Sequence, residues 1–149
     1  MKTEIVVNQP INIVFELYLD KNKFKEWKKD FVRYEQISGN AGDTGSVSRL
    51  FYKKFTMIET ITSKKTPSEL IANYEHQQGN NTMMFHTAKN RFTPLGDNRT
   101  LIEIESEVTK VNGFILGLIM KLMAGAGRKH AQEQLNQFKI VAEKNQPSL

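Results

Sequence analysis

One carboxyl group, Glu59, lies in an alternating segment where it could take part in acid–base chemistry. Met57 and Ile61 share its parity, so Glu59 faces the interior if those two apolar side chains do. Burial disfavours the charged form of a carboxyl group unless a cation or hydrogen-bond donors compensate, and such a group can serve as a polar anchor or a general base. In the alternative register Glu59 is solvated. The inward set then consists of Ile58, Thr60 and Thr62.

A histidine and a tyrosine form the second candidate pair. A turn centred near residues 79–81 would place Tyr74 directly opposite His86 on two neighbouring strands. A neutral imidazole and a phenol could there orient a carbonyl or hydroxyl group of a ligand in an otherwise apolar cavity. The alternative is a hydrogen-bonded core pair without a functional role. A slip of one residue would undo the pairing.

Signatures of metal and cofactor binding are missing from the sequence. The three histidines, His76, His86 and His130, form no HExxH motif, and three or four ligands would be needed for a metal. No nucleophile elbow, phosphate-binding loop or dinucleotide fingerprint occurs. The chain has no cysteine, which excludes disulfides and thiolate chemistry. We therefore expect no metal and no cofactor, and whether the protein is an enzyme stays open.

The elements that would position these residues form one α+β domain of 149 residues. A short strand at 4–8 precedes Pro10, which starts a helix, and Asp20 can cap a second short helix over 22–28. Alternating segments separated by short turns favour an antiparallel meander. Its six strands are predicted at 31–38, 46–53, 55–64, 69–77, 82–92 and 100–110.

Alternation also assigns the faces of the last three strands. In the final strand the glutamates face water, whereas Ile102 and Ile104 face the interior. The inward set of the preceding strand includes Met84 and His86, which would meet Tyr74 on the strand before it. We therefore expect one concave, mainly apolar face that also carries these polar side chains.

A long helix is predicted over residues 111–144. One apolar stripe recurs at helical spacing and should pack on the sheet. The stripe consists of Ala131, Leu135, Phe138 and Ala142. The first part of the helix, FILGLIMKLMAGAG at 114–127, is apolar nearly all round, so we expect it to cover a cavity, a partner or a membrane surface. Gly125 and Gly127 predict a kink, a break or a gate.

Charge and hydropathy exclude several other classes. The apolar segment is too short for a transmembrane helix and carries Lys121. The net charge of +5 arises from basic residues scattered among acids, and no nucleic-acid-binding motif accompanies them, so we expect a solvated surface and no nucleic-acid partner. Local groups occur at Lys21, Lys23, Lys25, Lys28 and Lys29, and at Lys53, Lys54, Lys64 and Lys65. With no secretory leader, the default location is the cytoplasm.

The N-terminal run IVVNQPINIVFELYLDKNKFKEW at 5–27 resembles the opening of the SRPBCC, or START-like, helix-grip superfamily, particularly its polyketide cyclase/dehydrase-like branch. The matching landmarks are Pro10, Val14, Phe15, Asp20 and Trp27, followed by Gly39 and Gly45, and by Leu135, Phe138 and Lys139 in the last helix. The resemblance implies a seven-stranded curled antiparallel sheet around a long C-terminal helix. It also implies a cavity between them that holds lipids, sterols or polyketides in relatives. The Rieske cysteine and histidine pairs of oxygenase subunits are absent.

Three functional hypotheses follow. In the first, the protein is a carrier, sensor or store that binds a small hydrophobic ligand between the sheet and the last helix. The expected lining residues are Met57, Glu59, Tyr74, His86, Ile104, Leu118, Leu122 and Met123. In the second, it is a polyketide cyclase- or dehydratase-type enzyme with Glu59 or His86 as general acid or base. In the third, residues 114–123 bind another protein or a membrane surface, and the sequence leaves the oligomeric state open.

Overall fold

The computed structural model describes residues 1–114, 117, 118, 121 and 124–144. Seven strands form one antiparallel sheet in the order β1-β7-β6-β5-β4-β3-β2. Their bounds are β1 Lys2–Val7, β2 Phe31–Ser38, β3 Val47–Tyr52, β4 Thr56–Lys65, β5 Glu69–Gln78, β6 Asn81–Pro94 and β7 Thr100–Val111. The strand predictions are confirmed with ends shifted by at most two residues. Strands β2 to β7 form a meander in which each strand pairs with the next one in the chain. Strand β1 pairs with β7 and lies at one edge of the sheet.

Three short helical segments connect β1 to β2. Helix α1, Ile11–Leu19, begins directly after Pro10. The Asp20 side chain then accepts a hydrogen bond from the backbone N–H of Asn22 at 3.0 Å, which caps the 3-10 turn Lys21–Lys23. Helix α2, Phe24–Trp27, follows without a gap. The predicted cap is confirmed, and the predicted second helix consists of this 3-10 turn and one α-helical turn.

The C-terminal helix α3, Ala124–Lys144, lies along β1 and against α2. Leu135, Phe138 and Ala142 of the predicted stripe are buried, and Val141 joins them in the core. Polar side chains of α3 extend the contact, since Gln132 Nε2 donates to the backbone oxygen of Glu4 at 3.1 Å. The stripe prediction is therefore confirmed.

The predicted start of this helix is wrong, and so is one of the three alternatives predicted for its glycines. Strand β7 continues to Val111, and Gly113 then takes a φ of 94°, a turn conformation that glycine adopts readily, so the helix does not begin at residue 111. Helix α3 also continues through Gly125 and Gly127, which contradicts a break at these glycines. Intrahelical hydrogen bonds and the packing of the following turns outweigh the cost of about 1 kcal/mol per glycine. Within the described part of the chain, no helix has the length and apolar character that a membrane span requires.

Aromatic packing joins the helices to the sheet. The Trp27 ring lies 4.9 Å from that of Phe138 and 5.2 Å from that of Tyr18. Phe92 of β6 contacts Tyr18 and Phe15 edge to face. This cluster fixes α1, α2 and α3 over one end of the concave face.

Candidate functional site

The concave face of the sheet changes from buried to half-buried along its strands. On β5, Leu70 and Ala72 are buried, whereas Tyr74 and His76 are half-buried. The antiparallel neighbour β6 shows the same gradient. Its residues Phe92, Asn90 and Ala88 are buried, and His86 and Met84 are half-buried. The helices therefore cover one end of this face more completely than the other.

Strand β7 repeats the gradient and leads to the apolar segment of the sequence. Ile102 is buried, Ile104 and Ser106 are half-buried, and Val108 is 47% exposed. The chain leaves β7 at Val111, which pairs with Met84 at the half-buried end. Residues 114–123 therefore connect this end of the sheet to the start of α3. Residues 125–130 of α3 are exposed, so its first turns extend beyond the packed core.

Glu59 faces the interior and is 4% exposed, together with the buried Met57 and Ile61. The alternative in which Ile58, Thr60 and Thr62 form the inward set is wrong. The pairing of β4 with β5 has one irregularity, a register shift between Ile61 and Ser63. This shift lies beyond Glu59, so it does not change the face of the sheet on which Glu59 lies. The carboxylate thus lies on the concave face at the middle of β4.

A buried cation pairs with this carboxylate. Lys21 Nζ lies 3.0 Å from Glu59 Oε1, and Lys21 is 6% exposed. The Tyr74 hydroxyl donates to Glu59 Oε2 at 2.9 Å. The expectation that Lys21 belongs to the solvated surface is wrong. Lys21 is the first residue of the 3-10 turn that Asp20 caps, and this turn places its side chain in the interior. Each carboxylate oxygen has a partner, which suits Glu59 to an anchoring role more than to that of a free base.

Tyr74 and His86 lie directly opposite each other, as predicted. Their rings stack with centroids 4.7 Å apart and planes 12° from parallel. Burial and the charge of Glu59 raise the pKa of the Tyr74 hydroxyl well above its usual value, so it remains protonated and can donate to Glu59.

His76 and His86 form a hydrogen-bonded imidazole pair, with Nε2 of His76 2.8 Å from Nδ1 of His86. The pKa of each ring is lowered to about 4, mainly by burial, and for His86 unfavourable electrostatic interactions with His76 and Lys28 contribute to the shift, so both rings are neutral near pH 7. One ring then donates to the other. The two outer ring nitrogens consequently present one donor and one acceptor, and reversing both tautomers exchanges these roles.

Aromatic rings extend this pair toward β3. Phe55 stacks on His76 at 5.8 Å and on Tyr52 at 4.7 Å. Burial and the charge of Glu59 raise the pKa of Tyr52, which keeps this phenol neutral as well. The half-buried end of the concave face therefore carries a continuous row of flat, neutral rings.

A second lysine, Lys28, lies beside this region. Its Nζ is 4.3 Å from the Phe24 ring centroid and 4.8 Å from that of Trp27. The pKa of the Lys28 amine is lowered to about 8, mainly by burial. The charge of Glu59 acts in the opposite direction, and the charge of Lys21 contributes to the lowering. Lys28 also lines an open groove of about 400 Å³ between α2 and α3.

Similar solved structures identify the fold. A START superfamily protein from Mycobacterium smegmatis superposes with a TM-score of 0.72 at 15% identity, covering 98% of each chain. The Zhui aromatase/cyclase from Streptomyces sp. R1128 gives 0.74 at 14% identity, covering 97% of this chain and 93% of that one. A conserved protein from Geobacillus kaustophilus gives 0.73 at 15% identity over 96% and 94%. The chain has the START-like helix-grip fold. The resemblance in fold that the N-terminal run suggested is thereby confirmed.

No protein-family model and no curated protein sequence matches this helix-grip chain. At these identities the superpositions establish the fold and leave ligand and activity to be argued from the site. In the part of the helix-grip protein that the structure describes, no three His, Cys, Asp or Glu side chains are grouped to hold a metal ion.

The structure gathers five of the eight predicted lining residues on the concave face of the helix-grip sheet. They are Met57, Glu59, Tyr74, His86 and Ile104. Leu118 is 48% exposed, and Leu122 and Met123 lie outside the described residues. Lys21 and Lys28 are site residues that the sequence did not predict, and His76 was predicted to face inward without a role in the site. For His76 a signal existed, because it shares the parity of Tyr74 on the same strand; for the two lysines no local pattern distinguishes them from their solvated neighbours.

Proposed function

We propose that this helix-grip protein binds a small, mainly apolar molecule between the concave face of the sheet and its C-terminal helix. The observation that carries the proposal is the gradient from buried to half-buried inward residues along β5, β6 and β7. A solid core would bury these positions uniformly. The half-buried end instead offers apolar and aromatic surface to a ligand.

The side chains at this end suit such a ligand. Met57, Met84 and Ile104 supply apolar contact, and methionine adapts to ligands of different shape. Burial of apolar ligand surface would provide affinity at about 25 cal/mol per Å². The outer nitrogens of the His76–His86 pair would orient a carbonyl or hydroxyl group, because one donates and the other accepts. A protein that carries, senses or stores such a ligand would use this arrangement in the same way.

The test uses phenylnaphthylamine, an uncharged probe that fluoresces in apolar sites. Ser106 is half-buried on the concave face, so Ser106→Phe should occupy part of the binding space and weaken probe binding at least roughly tenfold. Glu107 is exposed and next in sequence, on the opposite face, which makes Glu107→Phe the matched control with unchanged binding. Absence of probe binding by the unmodified protein, or equal binding by both variants, would contradict the proposal.

A second candidate is a cyclase- or dehydratase-type enzyme, and the His76–His86 pair favours it. The hydrogen bond between these rings would let the pair take up a proton at one outer nitrogen and release one at the other. Incubation with a synthetic poly-β-ketone should then yield a cyclised product lighter by one water, faster than the spontaneous reaction. His86→Gln should abolish the acceleration while Glu107→Gln, an exposed change on the outer face of β7, retains it. Equal rates with and without protein would remove this candidate.

A further inference from the structure

A half-buried ammonium group without an anionic partner borders the candidate site. The backbone N–H of Lys28 donates to the carbonyl oxygen of Phe24 at 2.7 Å, which anchors this residue at the end of α2. Its Nζ then lies over the faces of Phe24 and Trp27. Both rings are buried in the core, so the position of the amine is fixed by packed groups.

Three acidic groups near Lys28 are paired with other cations, and Glu133, which lines the same groove, forms no ion pair with Lys28 in the described part of the chain. Glu59 pairs with Lys21 at 3.0 Å. Glu26 pairs with Lys23 at 3.6 Å, and Asp30 with Lys53 at 3.9 Å. Lys28 itself makes no ion pair or hydrogen bond through Nζ with the residues that the structure describes. Since the Lys21–Glu59 pair is neutral overall, Lys28 leaves this part of the site with an excess positive charge.

The amine lines a groove that reaches the ring row of the concave face. It lines the groove between α2 and α3 together with His130 and Gln134 of α3. Phe31 lines the same groove, and its ring lies 5.5 Å from that of Tyr52, so the groove adjoins the ring row of the concave face. An anionic group entering through the groove could therefore meet Lys28 while the apolar part of the same molecule lies along the ring row of the sheet.

We infer that the ligand of this protein is an apolar molecule with one anionic group, such as a carboxylate, and that Lys28 binds that group. This inference rests on the proposed function and adds the chemical class of the ligand. A half-buried ammonium that has lost part of its hydration gains most from a charged acceptor, and charge-assisted hydrogen bonds are the stronger ones. The neighbouring rings would exclude water from the pair, which strengthens it further.

The experiment compares two probes that share their aromatic body. Anilinonaphthalene sulfonate carries one negative charge, and phenylnaphthylamine carries none. We expect the unmodified protein to prefer the sulfonate by roughly tenfold, the effect of one charge-assisted hydrogen bond. Lys28→Met should remove the preference by weakening sulfonate binding alone. Lys28→Arg should retain it.

Lys54→Met is the control, because it removes the same charge from an exposed residue between β3 and β4. It should leave the preference unchanged, which separates a specific contact from the general attraction of a basic protein. Equal binding of both probes by the unmodified protein, or a preference that survives Lys28→Met, would overturn the inference while the proposed function stands. Failure of both probes to bind would overturn the proposed function and the inference with it.

Discussion

Lys21 Nζ lies 3.0 Å from Glu59 Oε1 with side chains only 4% and 5% exposed, so an ion pair crosses the interior from the helical turn after α1 to the middle of β4. Desolvation of two charges costs several kcal/mol, which only close geometry and further hydrogen bonds can offset. The Tyr74 hydroxyl supplies one of those bonds. The pair therefore ties the helices to the sheet beneath the proposed binding space.

Breaking this pair from one side should be strongly destabilising. Glu59→Gln or Lys21→Met leaves a buried charge without its partner, and each should lower the free energy of unfolding by about 3–5 kcal/mol in urea titrations. The double variant Lys21→Met/Glu59→Met should recover much of that loss. The exposed pair Lys23–Glu26 is the control, since its removal should cost at most about 1 kcal/mol. A single variant of the buried pair with an equally small effect would contradict this prediction.

Tyr74→Phe should show how much the phenol contributes to the site. The variant keeps the ring that stacks on His86 and removes the donor to Glu59, so we expect a loss of about 1.5–3 kcal/mol in unfolding free energy. Tyr34→Phe on β2 serves as the control, because no hydrogen bond from its hydroxyl occurs in the described part of the chain. Equal, small effects of both substitutions would show that the Tyr74 hydrogen bond contributes little.

Acid should weaken the fold through the two paired histidines. Their pKa is about 4 in the folded protein and 6.5 when unperturbed, with Lys28 among the groups that oppose protonation of His86. Between pH 6.5 and 4 the unfolded chain binds more protons, so stability falls as pH falls through that window. In urea titrations at several pH values, His76→Phe/His86→Phe should flatten this dependence, whereas His130→Gln should not. If the double variant keeps the pH dependence of the unmodified protein, the paired histidines are not its cause.

Raising the pH through the alkaline range should stabilise the fold through Lys28, with the same sign of pH dependence as for the histidines. Its pKa is about 8 in the folded protein and 10.5 when unperturbed, as burial and Lys21 outweigh the attraction of Glu59. Between these values the unfolded chain again binds more protons, so this residue makes stability rise with pH from about 8 to 10.5. The difference in unfolding free energy between the unmodified protein and Lys28→Met should therefore change across this range. A difference that stays constant across this range would contradict the prediction.

Local patterns were sufficient for the strand register at the site. The strand at 31–38 is observed with the predicted bounds, and Tyr74 pairs with His86. Alternation specifies each face, and Gly79, with a φ of 61°, fixes the turn between the two strands that carry the pair. The apolar stripe of α3 could also be predicted from the sequence, because helical spacing alone brings Leu135 and Phe138 to one side of the helix.

Residues that depend on distant partners could not be assigned in this way. Lys21 stands among four other lysines, and only the approach of β4 makes it a buried counter-ion. Gly125 and Gly127 predicted a kink, a break or a gate, and the helix continues through both without a break. The His76–His86 hydrogen bond depends on how two rings on neighbouring strands turn toward each other, which spacing does not specify.

The sequence alone thus determined the helix-grip order of strands and helices, because periodicity, caps and turn residues act between near neighbours in the chain. Tertiary structure decided that Glu59 faces inward with Lys21 and that Lys28 is the cation left beside the concave face. These outcomes reflect the competition between desolvation and pairing of charges, whose balance is set only when residues remote in sequence are brought together.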